Sequence, residues 1–212
     1  MATTTIATQK LGKLPVRTDV RTLSLGRYID VARLPSPPDT FDETTGVPDW
    51  PMYANDRIGD CTTAAAAHMI EAWTAAGRGH AVEISERSVL DAFDHVKLVD
   101  PASGEEGAIE LDVLRYWRTS GIGRHKIGAY ARVSVHDHSL VETAAWLFGG
   151  LYLGVQLPVT ARTQEFEAEC TCDQPDVGAS ERPTGLAGAT SRTATSMPPI
   201  RPNCQETVVK RR

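Results

Sequence analysis

At 212 residues and 41% hydrophobic content, the chain is long enough to form one domain with a sizeable core. A formal net charge of −5, from 27 acidic against 22 basic side chains, argues against a nucleic-acid footprint, and the closing Lys210-Arg211-Arg212 reads as a solvated terminus. No run of eighteen apolar residues marks a membrane span, and Met1 to Lys10 lack the apolar stretch of a signal peptide.

Residues 1–48 carry Leu11-Gly12-Lys13-Leu14-Pro15 and the proline cluster Pro35, Pro37 and Pro38, which predict an extended arm or strap along the domain rather than a folded unit. A removable pro-segment is the less favoured reading, because the stretch is short and has no long amphipathic helix. The segment Tyr53-Ala54-Asn55-Asp56-Arg57-Ile58-Gly59-Asp60-Cys61-Thr62-Thr63 follows and runs into an alanine-rich stretch from Ala64 to Trp73. Ala64 to Ala67, Met69, Ile70, Ala72 and Ala76 favour helix, with Asp60 as the N-cap and Gly77 as the end. Cys61, the only cysteine before position 170, is thus placed at a helix mouth. Unpaired backbone N–H groups and the positive dipole end there favour a thiolate and a neighbouring oxyanion. His68 lies two turns along the same face, too far to serve as the base for this cysteine.

In spacing, these residues resemble the papain-like cysteine peptidases, and within them a divergent actinobacterial and phage-type set. The resemblance implies that Cys61 is the nucleophile and that Asn55, six residues earlier, supplies the amide of the oxyanion hole. Gly59 matches the glycine two positions before the nucleophile. Asp60 and Thr62 replace the small and aromatic neighbours of the C-G-[SA]-C-[WY] signature.

The resemblance continues in order along the chain. Ile84 to Leu90 looks like the serine-capped second helix. Gly107-Ala108 with Leu111, Val113, Leu114, Trp117 and Gly121-Ile122 looks like the next helix, ended by a glycine turn. Leu140 to Phe148 reads as an amphipathic helix, and Leu151 to Leu157 as a short buried strand bounded by Pro158. The fold class implied is α+β, with a helical half and a first crossing strand over residues 49–160 and an incomplete β-rich half.

The family's catalytic histidine would come next, yet His68, His80, His95, His125, His136 and His138 all precede Pro158. Residues 161–212 form an atypical tail with one aromatic, Phe166, and neither helical nor strand periodicity. Two readings of it stay open, a disordered tail and an out-of-frame translation. In the adjacent codon frame, Ala187 to Thr195 permit a Gly-Gly-His-x-x-x-Gly-Tyr string of the kind the family carries.

Cys170, Cys172 and Cys204 lack the paired spacing of a zinc site, so no metal and no cofactor is expected. His136 and His138, flanking Asp137, and His125 read as solvated loop residues. Trp117 and Trp146 read as core, and Trp50 as either a cleft floor or a packing residue. The functional expectation is a papain-like cysteine peptidase or amide hydrolase homologue, attacking a peptide or protein carbonyl through a thiolate but impaired for want of its histidine. The alternative is a non-catalytic papain-like module that binds a peptide or serves a phage structure. A cytoplasmic or phage-associated location is expected, with no nucleic-acid and no membrane partner.

Overall fold

A computed structural model describes residues 12–155 and the strand Gln205–Arg211. Its central element is helix α1, Cys61–Arg78, in which the alanine tetrad Ala64 to Ala67 lets neighbouring backbone approach closely. The helix does not stop at Gly77. Gly79 ends it, with φ of 77° and its N–H on Ala75 O, because the left-handed cap is formed two residues later than the composition suggests. Asp60 occupies the N-cap position, but with φ −94° and ψ 14° it is out of the extended cap conformation. Its carboxylate accepts no bond from the first turn.

Helix α2 spans Glu86–Val96 and starts as the serine cap requires, with the Ser85 hydroxyl accepting from Ser88 N–H. Helix α3 spans Glu110–Thr119 and is followed by Gly121 at φ 92°, the expected glycine turn. The three helices meet through Ile70, Trp73, Val89, Phe93, Val113, Leu114 and Trp117, all 5% exposed or less. Trp73 and Trp117 stack at 5.6 Å between ring centroids. Such an aromatic pair stabilises by about 1 kcal/mol beyond its area burial.

Between α2 and α3, strands β2 (Leu98–Val99) and β3 (Glu106–Gly107) form a short antiparallel hairpin, tied by Asp100 accepting from Ala102 N–H and Ser103 Oγ. The four-stranded sheet has the order β1-β4-β6-β5, with β1 Leu23–Ser24, β4 Ile127–Val133, β5 Tyr152–Gly154 and β6 Gln205–Arg211. β1 runs parallel to β4, and β6 runs antiparallel to both β4 and β5. Helix α4, His138–Phe148, is capped by Asp137 accepting from Leu140 N–H. It packs Leu140 and Ala144 with Leu25 and Val133 into a second core.

Several expectations shift. The segment expected to be an extended arm also supplies β1, two 3-10 turns over Leu25–Arg27 and Val31–Arg33, and the core residue Leu25. The expected buried run from Leu151 is a strand of three described residues that alternates, with Tyr152 2% and Leu153 38% exposed. Within the tail, Gln205–Arg211 pairs as a strand with β4 and β5 in spite of its weak sequence signal. Residues 156–204, including Cys170, Cys172, Cys204 and the Ala187 to Thr195 string, lie outside the described residues. What is described is an α+β arrangement. Among the described residues, no helix is long and apolar enough to cross a membrane.

Candidate functional site

The approach to α1 is strained. Tyr53 and Ala54 take positive φ in succession, 52° and 70°, while buried to 2% and 4% exposure. Left-handed conformations at non-glycine residues cost about 1 kcal/mol or more each, so the surroundings must hold them. The Tyr53 hydroxyl donates to the buried Glu71 carboxylate, and Asn55, Arg57 and Ile58 N–H groups close turns onto Met52 and Ala54 carbonyls. Burial first, then Glu71, pushes the Tyr53 phenol well above its usual range. Asn55 is half-buried at the apex of this turn. Its Oδ1 has no partner among the described residues, and no hydrogen bond among them joins it to Cys61.

Cys61 is the first residue of α1, as expected, and is half-buried. Residues 12–14 cross beside it. They pair with residue 108 in the parallel sense, Leu14 N–H donating to Ala108 O and Ala108 N–H to Gly12 O. Three glycines make this crossing possible. A Cβ on Gly12 would stand 1.6 Å from Gly59 O, one on Gly59 2.4 Å from Glu106 O, and one on Gly107 2.3 Å from Gly12 O. Backbone N–H groups of Gly12, Thr62 and Lys13 favour the thiolate, but burial outweighs them and Asp60 adds its charge, so the Cys61 thiol is pushed up. The helix mouth does not yield an activated thiol here.

Two carboxyls are buried at this corner, Asp60 next to the cysteine and Glu110 beside Lys13 of the crossing segment. Asp60 is fully buried with neither oxygen partnered among the described residues, and burial, aided by Glu86 and Asp56, raises its pKa from 3.8 to about 7. A helix N-terminus stabilises a nearby anion by about 1 kcal/mol or less, whereas one pKa unit is worth about 1.4 kcal/mol, so desolvation dominates. Glu110, 7% exposed at the start of α3, is raised from 4.5 to about 7 by burial, partly offset by Lys13, whose Nζ is 3.9 Å away. Gly154 lies directly against this pair, since a Cβ there would sit 2.5 Å from both Glu110 oxygens. Tyr152, fully buried, donates its hydroxyl to Thr62 O, and its phenol is raised by burial and then by Glu110 and Cys61. Glu110, Lys13 and Tyr152 escaped the sequence reading. One signal was present, an acidic residue inside the apolar run Ala108-Ile109-Glu110-Leu111.

The histidines are engaged elsewhere. His68 Nε2 lies 2.8 Å from Pro51 O, with Trp50 edge-on at 5.3 Å and Tyr53 at 5.2 Å, so the half-exposed Trp50 packs on His68. His95 Nδ1 bonds Asp91 O, and His136 and His138 are exposed beside the cap of α4. His125 lies by Arg78, at the far end of α1. None of the six bears on the thiol. Trp117 is fully buried as expected, while Trp146 is only half-buried. Among the described residues, no group of three or more His, Cys, Asp or Glu could hold a metal ion.

No family model, no curated protein and no solved structure matches this chain. Its chemistry has to be read from its own geometry: a neutral thiol at a helix mouth, a strap of backbone beside it, and two carboxyls that titrate near neutrality.

Proposed function

We propose that this chain is a papain-like cysteine hydrolase homologue, with Cys61 in the nucleophile position and Asn55 in the oxyanion-hole position, whose peptide or amide hydrolysis is impaired. The observation that carries the reading is Cys61 as the first residue of the central helix, reached through a strained turn that holds Asn55. Strain of this kind gathers where a fold positions reacting groups. The order of α1, serine-capped α2, glycine-ended α3 and then a sheet adds support. Impairment follows from the thiol itself. An ordinary thiol is only a few per cent ionised at neutral pH, burial and Asp60 lower that fraction further, and no imidazole is at hand to accept the proton.

The second reading, a non-catalytic peptide-binding module, draws on the strap that crosses beside Cys61 and on the raised thiol pKa. Turnover separates the two. A fluorogenic peptide-amide library is incubated with the full chain and with Cys61→Ala, with and without added imidazole as an external base. The hydrolase homologue predicts slow release that vanishes in Cys61→Ala and rises with imidazole. Release equal in the two proteins under both conditions, with no acyl adduct on Cys61 by mass spectrometry, contradicts it and leaves the binding module.

A further inference from the structure

A cavity opens at the end of α1 opposite Cys61, roughly 24 Å along the helix axis from it at 1.5 Å per residue. Its volume is about 490 Å³, within the range of small-molecule sites. The last turns of α1, Trp117 of α3 and the loop into β4 line it. The lining brings together Arg78, Arg124, His125 and Lys126 with Trp73 and Trp117, and it contains no carboxylate. In a chain whose acidic residues outnumber its basic ones, that segregation concentrates positive potential at one opening.

The cations are not all equivalent. Arg78 sits at the C-terminal end of α1, where a cation suits the dipole, and Lys126 Nζ donates to Thr119 O at the end of α3. Arg78 and Arg124 make no ion pair among the described residues, which leaves their guanidinium donors for a ligand. Arg124 is held at φ 72° in a turn closed by Ile122 and His125, each N–H bonding the other's carbonyl. Beneath them, the Trp117 indole is fully buried and its Nε1–H has no partner among the described residues. A buried donor left without an acceptor costs about 1–3 kcal/mol. Ile70 and Ile127 complete an apolar inner wall.

We propose that this cavity binds a small organic oxyanion, a carboxylate or phosphate ester carried on a planar ring. The anionic group meets Arg78 and Arg124, and the ring enters toward the tryptophans. Arginine forks match planar carboxylate and phosphate oxygens in paired hydrogen bonds, and the aromatic and aliphatic wall takes up the ring. This site is separate from the Cys61 end and stands or falls independently of the hydrolase reading.

Calorimetric titration of the full chain with benzoate, phenyl phosphate and neutral benzyl alcohol tests it, with tryptophan fluorescence followed in parallel. Saturable binding of one or both anions is expected, weakening as salt rises, with benzyl alcohol at least tenfold weaker. Which anion binds more tightly separates a carboxylate from a phosphate ligand. Arg78→Ala and Arg124→Asn, the latter chosen because asparagine tolerates the left-handed backbone, should each weaken anion binding about tenfold with the melting temperature unchanged. The proposal is overturned if neither anion saturates below about 10 mM. Benzyl alcohol binding as tightly as the anions, or folded arginine variants that keep full affinity, overturns it as well.

Discussion

The two ends of α1 are built on opposite principles. At the N-terminal end, buried Asp60 with no partner among the described residues, Cys61 with a raised pKa and a three-glycine crossing of the strap make a closed, acidic, strained corner. At the C-terminal end, Gly79 caps the helix, Trp73 Nε1–H donates to Gly149 O, the Thr74 hydroxyl accepts from Val82 N–H, and a cationic cavity opens to solvent. A helix dipole would place anions at the first end and cations at the second. The second end obeys it. At the first, desolvation overrides the dipole and leaves both the carboxyl and the thiol inclined to keep their protons, so a cysteine at a helix mouth is not by itself an activated cysteine.

The largest expected effect comes from crowding the closed end. Gly59→Ala places a methyl 2.4 Å from Glu106 O and 2.8 Å from Gly12 Cα, both backbone atoms that cannot turn aside. A loss on the order of 3 kcal/mol in urea unfolding is expected. An unchanged midpoint would mean that the strap does not cross there.

Next in size is the pH dependence of stability. Asp60 and Glu110 are raised from 3.8 and 4.5 to about 7 each, so between about pH 4 and 7 the folded chain holds more protons than the unfolded one. Stability should therefore fall as pH rises through that window, the reverse of a salt-bridged carboxylate. Asp60→Asn should flatten part of the slope and raise the urea midpoint at pH 7.5 relative to wild type. A wild-type midpoint that climbs from pH 5 to 7.5 would contradict the burial of these groups.

The smallest effect belongs to the open end. At Gly79 the backbone needs φ of 77°, but nothing lies within 4 Å of an added Cβ, so Gly79→Ala should cost only about 1 kcal/mol of left-handed strain. Equal losses from Gly59→Ala and Gly79→Ala would erase the distinction between a glycine required for space and one required for its dihedral.

Local signals made the helices legible. Ala64 to Ala67, Ser85 as a cap, Gly121 and Gly149 after their helices, and Leu140 to Phe148 all act within a turn or two of themselves. Strand β4 went unread although Ile127, Ala129, Ala131 and Val133 alternate, because glycine and alanine give that pattern little hydrophobic contrast. β6 depends on partners more than fifty residues away, and such pairing leaves little trace in the strand's own composition. At the candidate site, the position of Cys61 was legible and its electrostatics were not. The raised thiol arises first from the burial of Cys61 and then from the charge of Asp60, against the opposing backbone N–H groups of Gly12 and Lys13, and sequence spacing encodes neither that burial nor the long-range crossing of residues 12 and 13. Glu110 and Tyr152 join the corner for the same reason, through contacts that only the folded chain creates.

The most direct measurement is the rate at which Cys61 is alkylated by iodoacetamide between pH 5.5 and 10, resolved from Cys170, Cys172 and Cys204 by peptide mass spectrometry. Slow labelling at pH 7 that rises only through a pKa above that of an ordinary thiol is the predicted result. Fast labelling of Cys61 that is flat from pH 6 to 8 would show a stabilised thiolate and contradict the closed, protonated helix mouth.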